Sequence, residues 1–105
     1  MSPAVSDRPP DSDGVPVTLV LPWALRPLTG GRETIELRAA SVAGLLALLR
    51  ASRPDLHVRV CDEQGMPRPH LNLFVNLDHV REREGLATRF NAGDELYILP
   101  AVSGG

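Results

Sequence analysis

The stretch "RETIELRAASVAGLLALLR" (Arg32–Arg50) changes its hydrophobic period part-way along. In "RETIEL" (32–37) Ile35 and Leu37 alternate with polar neighbours, which is the pattern of a half-buried strand. After Ser41 the spacing lengthens: Val42, Leu45, Leu46 and Leu49 stand at i, i+3, i+4 and i+7 and form one helical stripe. Ser41 occupies the N-cap position, where its hydroxyl can accept from the first free amides of the helix. Gly44 costs this helix about 1 kcal/mol against alanine, and four buried aliphatics at about 1.5–3 kcal/mol each outweigh it. Pro54 ends the helix, because a residue before proline is pushed out of the α region. A strand that feeds an amphipathic helix must bury both apolar faces against each other, as in an α+β layer packing.

Upstream, "VPVTLVL" (15–21) alternates with Val15, Val17, Leu19 and Leu21 on one side. "PWALRPLTGG" (22–31) reads as a broad turn, so the two strands form an antiparallel hairpin. Downstream, residues 54–69 read as a long loop with a short apolar patch, "LHVRV" (56–60). "HLNLFVN" (70–76) alternates with Leu71, Leu73 and Val75 inward. "LD" (77–78) is a tight turn into a short strand, "HVR" (79–81), while "GLAT" (85–88) and "NAGD" (91–94) are turns. "ELYIL" (95–99) closes the domain with Leu96 and Ile98 inward. The expected fold is an α+β sandwich of the β-grasp kind, four or five strands wrapped across one main helix. Residues 1–14 are expected to be a disordered leader, 15–100 the domain and 101–105 a tail.

At 105 residues the chain makes one domain with one modest core. A net charge of -2 without any block of like charge, and 4% aromatic residues, point away from nucleic acid. No apolar run reaches membrane-spanning length and residues 1–14 hold no signal-peptide core, so a cytoplasmic location is expected. All eleven basic residues are arginine, so amine nucleophiles are confined to the N-terminus. GC-rich codon usage would produce the same composition.

Little here assembles a catalytic site. His57, His70 and His79 lack zinc-ligand spacing, and no bound metal or cofactor is expected. Cys61, the single cysteine, stands beside Asp62 and Glu63, which disfavour the thiolate. Gly30-Gly31 lacks the G-K-[ST] of a phosphate loop, and Asp94-Glu95 point to opposite sides of a strand. No nucleophile, base and oxyanion hole come together, so the chain is read as a protein co-substrate and not an enzyme. The distinctive feature is the end, "LPAVSGG" (99–105). Pro100 cannot donate to a ladder, so strand pairing is expected to stop there. Without Cβ atoms, Gly104 and Gly105 can enter a channel too narrow for side chains.

The segment "GDELYILPAVSGG" (93–105), with "LRPLTGG" (25–31), "NLFVN" (72–76), "VR" (80–81) and "GLAT" (85–88), resembles the ubiquitin-like sulfur carriers. That family includes the molybdopterin-synthase small subunit and the thiamine-pathway carrier. The resemblance covers residues 15–105 and is nearest to the carrier of the thiocarboxylate-dependent cysteine pathway, although Ser103 stands where those carriers often have alanine. It implies a β-grasp sheet with the first and last strands adjacent and parallel at its centre. It also implies that a ubiquitin-activating-type enzyme uses ATP to adenylate Gly105, and that sulfur then converts the adenylate to a thiocarboxylate. Val102, Ser103 and Gly104 would thread a partner. The implied partners are the activating enzyme, a PLP-dependent cysteine synthase as acceptor and a zinc metallopeptidase. Phe74, Tyr97 and Leu99, on the faces opposite the core, form the candidate docking surface. Two alternatives stay open: a small subunit of molybdopterin synthase, and a modifier attached to target lysines.

Overall fold

The change of period at Ser41 is the point where the chain leaves the sheet. In the computed structural model, which describes residues 14–101, β1 (Val15–Val20) and β2 (Thr34–Ala39) pair antiparallel from Val15↔Ala39 to Val20↔Thr34. The connection between them is a 3-10 helical turn over Trp23–Thr29 that buries Leu25. Helix α1 (Val42–Ser52) follows, with Ser41 accepting from the Gly44 amide at 3.1 Å, so the expected N-cap is in place. Its stripe of Val42, Leu45, Leu46 and Leu49 is buried.

Residues 54–60, expected as loop, form a second helix, α2 (Pro54–Val60). Pro54 does end α1, and it also opens α2, since the first helical position needs no amide donor. The apolar residues of "LHVRV" divide by helical rather than strand spacing. Leu56 and Val60, at i and i+4, are fully buried, while Val58 between them is exposed.

Strand β3 (Leu71–Val75) then leads through Asn76 and Leu77 into β4 (Asp78–His79). Against the expectation of a turn at 77–78 and a strand at 79–81, the strand comes earlier and is shorter, and Val80–Glu82 form a 3-10 turn. Asn76 at φ 56° supplies the left-handed residue that so tight a connection needs. Strand β5 (Glu95–Pro100) closes the five-stranded sheet, whose order is β2-β1-β5-β3-β4. β5 runs parallel to β1 and antiparallel to β3, so the first and last strands lie side by side at the centre.

The inner face of the sheet (Val17, Leu19, Leu73, Val75, Leu96, Ile98) packs with the α1 stripe, Leu56 and Val60 into one core. Gly14 is buried where β1 begins. A Cβ there would meet the Ala39 backbone at 2.5 Å, closer than real Cβ contacts come. Gly14→Ala is therefore expected to force β1 and β2 apart and to cost about 1–3 kcal/mol, as overpacking typically does. Urea unfolding would measure it, and an unchanged midpoint would show that the hairpin end gives way freely.

Candidate functional site

The site is organised by β5 and by what holds it in register. Its entry is the turn "NAGD" (91–94), in which Gly93 takes φ +90°, a conformation that side chains resist. The Gly93 amide donates to the Pro16 carbonyl, and the Thr18 amide to the Asp94 carbonyl. Asp94 accepts from the Asn91 amide and from the Asn76 side chain, and the Asn76 carboxamide oxygen accepts from the Glu95 amide. One end of the strand is thus tied to both neighbours. Leu96 and Ile98 are fully buried, which fixes the middle.

At the far end, pairing does not stop before Pro100. Pro100 lies opposite Leu71, and the Ala101 amide donates to the His70 carbonyl at 2.8 Å. In an antiparallel ladder successive amides point to alternate sides. The Ala101 amide faces β3, so the missing donor of Pro100 would face β1. There the pairing with β5 has already ended at Val20↔Tyr97. Proline is tolerated because it sits where no donor is required. Gly105, Gly104, Ser103 and Val102, the expected working residues of the tail, lie outside the described residues.

Phe74, Tyr97 and Leu99 come together on the outer face. Phe74 is opposite Tyr97, and Leu99 is opposite Asn72 two pairs further along, the next pair on the same face. Phe74 and Tyr97 are half-buried and Leu99 is 41% exposed. The cluster is wider than those three. Val20 on β1 is in register with Tyr97, and His79 on β4 with Phe74, giving a row Val20–Tyr97–Phe74–His79 across four strands. Val20 was visible in the sequence as the complement of the inward alternation. Its place beside Tyr97 depended on the parallel β1–β5 pairing, which periodicity does not reveal.

Polar contacts orient this row. The His79 ring meets Phe74 edge-on at 5.0 Å between centroids. Its Nδ1 accepts from the Arg81 amide, which leaves the proton of the neutral ring on Nε2, 3.1 Å from Asn72 Oδ1. The Tyr97 hydroxyl donates to Glu95 at 2.7 Å, and this bond to a carboxylate, foremost, holds the phenol above its usual range. The row is thus an apolar strip with fixed polar margins, suited to protein contact more than to chemistry.

Cys61 caps the end of α2 and is buried. Burial, more than the neighbouring Asp62, pushes its thiol up and away from the nucleophilic form. His57, His70 and His79 are dispersed over α2, the residue before β3, and β4. Among the described residues there is no group of three or more His, Cys, Asp or Glu able to hold a metal. A cleft of about 260 Å³ opens beside the exit of the tail, lined by Pro22, Ala24, Leu25, Leu71, Pro100, Arg59 and His70. Arg59 was missed in the sequence because α2 was. The signal available was Pro54 followed by Leu56 and Val60 at helical spacing.

Comparison with known proteins agrees with this geometry. The family model described as ThiS family matches residues 19–105. The sulfur carrier protein CysO of Mycobacterium tuberculosis is 35% identical over 91 residues, 85% of this chain and 98% of that protein. A solved structure of the BexX/CysO complex of Amycolatopsis orientalis contains a chain 34% identical, with a TM-score of 0.73 over 85% of this chain and 99% of that one. The small archaeal modifier protein 1 of Methanosarcina acetivorans is 30% identical, also at a TM-score of 0.73, covering 88% of this chain and 98% of its own. With the β-grasp sheet, the central parallel pair and the match running from β1 to the final glycine, the chain belongs to the ThiS family of ubiquitin-like sulfur carriers.

Proposed function

We propose that this protein carries sulfur on its C-terminal glycine and hands it to an acceptor enzyme in cysteine biosynthesis or related sulfur metabolism. The observation that carries this reading is the family match over residues 19–105 together with 35% identity to CysO along nearly all of that protein. The chemistry follows from the tail. The carboxylate of Gly105 is inert to nucleophiles until one oxygen becomes a leaving group. A ubiquitin-activating-type enzyme supplies that by transferring AMP from ATP to the carboxylate, releasing pyrophosphate. Hydrosulfide then attacks the acyl carbon, the bond to AMP breaks, and a proton leaves to solvent, giving the thiocarboxylate. The chain itself acts as co-substrate. It presents the tail, with Val102, Ser103 and Gly104 threading the partner's channel, while the row of Val20, Phe74 and Tyr97 with Leu99 docks beside it.

The acceptor in this reading is a PLP-dependent synthase, and a zinc metallopeptidase frees the product from the carrier, all in the cytoplasm. The solved BexX/CysO complex supports this reading in that a CysO protein there forms a complex with another protein, BexX. A second reading, attachment of Gly105 to lysines of target proteins, is favoured by the similarity to a small archaeal modifier protein. It uses the same adenylate with an amine in place of hydrosulfide.

Incubation with an activating enzyme, ATP and sulfide tests the proposal. Intact mass should rise by the difference between a sulfur and an oxygen atom, and the gain should map to the tryptic peptide Phe90–Gly105. Absence of the gain from that peptide would overturn the carrier assignment; a gain of that size on Cys61 would be one oxygen on its sulfur, an oxidised thiol and not carried sulfur.

A further inference from the structure

The cleft beside the tail exit is assembled from segments far apart in the chain. Pro22, Ala24 and Leu25 come from the 3-10 turn after β1, Arg59 from α2, and His70, Leu71 and Pro100 from the ends of β3 and β5. Its walls are apolar except for Arg59 and His70. Among the described residues, Arg59 makes no ion pair or side-chain hydrogen bond. Trp23, between two cleft residues in sequence, is 77% exposed. None of this lies on the outer sheet face that carries Phe74 and Tyr97.

We propose that this cleft is a second docking point for the enzyme that takes the tail, receiving an apolar side chain of that enzyme next to a carboxylate that pairs with Arg59. The inference rests on the sulfur-carrier reading. Its main support is distance. Four residues follow Ala101, ending at Gly105, a reach of about 14 Å at full extension. An enzyme holding Gly105 at its reacting centre therefore lies within that distance of Ala101. Pro100 is part of the cleft wall, and the Ala101 amide is bonded to His70, another lining residue. A standard interface covers about 800 Å² on each partner, a disc of roughly 16 Å radius. Centred on the tail exit, such a disc takes in the cleft. Apolar pockets near the centre of an interface are where binding energy concentrates. The charge is also specific: a cationic, otherwise apolar cleft selects an acidic-and-apolar segment over a basic one.

The test is steady-state charging of the full-length chain by a ubiquitin-activating-type enzyme, with pyrophosphate release as readout and the carrier as varied substrate. Ala24→Arg fills the cleft from an exposed wall position and is expected to raise KM about tenfold, a change equivalent to about 1.4 kcal/mol. Its kcat should stay unchanged, because the tail is intact. Arg59→Glu is expected to raise KM several-fold, and added salt should bring it back toward wild type by screening the new repulsion. Leu77→Arg, at the opposite end of the sheet and 92% exposed, is the control and should charge like wild type. Matching melting curves establish that the variants are folded.

Normal charging of wild type with unchanged KM for both cleft variants overturns this inference and leaves the carrier reading intact. Failure of wild type to charge overturns both. A lowered KM for Ala24→Arg overturns the inference in favour of the chain's own tail resting in the cleft, since blocking the cleft would release it. Dimerisation of wild type that Ala24→Arg abolishes overturns it in favour of a second copy.

Discussion

Removal of Gly104 and Gly105 is expected to abolish adenylation and thiocarboxylate formation while leaving folding stability within about 0.5 kcal/mol of the full chain, the usual range for surface changes. The truncated chain still ends in a carboxylate, so its chemistry is unaltered. What changes is reach. Two residues span up to about 7 Å, whereas reacting atoms must approach to about 3–3.5 Å in alignment, and a misplacement of about 1 Å already costs on the order of a hundredfold. Every described hydrogen bond survives the deletion, since the outermost, from Ala101 to the His70 carbonyl, lies inside it. ATP-dependent pyrophosphate release, intact mass and a melting curve on the same sample separate the two effects. Charging that persists in the truncated chain would show that the activating enzyme reads the docking face alone. A large fall in melting temperature would show that the glycines belong to the folded domain.

What the sequence disclosed of the fold follows from which forces act locally. The inward residues of β1, β3 and β5 were readable because alternate side chains of a strand point to one face. Leu19, Val75, Leu96 and Ile98 are all buried as that rule requires. The α1 stripe was readable for the same reason at the helical period. The outer-face residues Phe74 and Tyr97 were legible as the complement of the buried set, but the alternation is silent about which strands adjoin. That β5 sits between β1 and β3, which makes Val20, Tyr97 and Phe74 one row, comes from tertiary pairing; the family resemblance implies only the central parallel pair of β1 and β5.

Segment α2 failed for a different reason. Seven residues hold under two helical turns, too few for a period to establish itself, and Leu56, Val58 and Val60 fit alternation just as well. Burial against the core decides between the two, selecting Leu56 and Val60 and leaving Val58 outside. Pro100 illustrates the converse limit. Its missing donor was read correctly, but whether that ends a ladder depends on which side of the strand the absent amide faces. It faces the side where β1 has already stopped pairing. The cleft was illegible for both reasons at once, being built where a missed helix meets an underestimated strand end.

Replacing Gly104 by alanine asks why glycine stands there and not whether the tail is needed. On folding, one added methyl at this position should change stability by less than about 0.5 kcal/mol. Inside a partner the same methyl meets two penalties. It must fit where only backbone fitted before, and alanine largely forfeits the positive φ that glycine adopts at no steric cost. Overpacking of this size typically costs about 1–3 kcal/mol, equivalent to a loss of about five- to 150-fold in rate or affinity. The variant is therefore expected to fold normally and to lose charging or sulfur transfer by that factor. Kinetics with the activating enzyme and with the acceptor, run separately, locate the tighter channel. A defect in kcat marks a displaced carbonyl at the reacting centre, and a defect confined to KM marks the channel's entrance. Equal activity at both steps would mean that neither channel is narrower than an alanine, and the steric reason for the paired glycines would be withdrawn even if Gly105 still carries the sulfur.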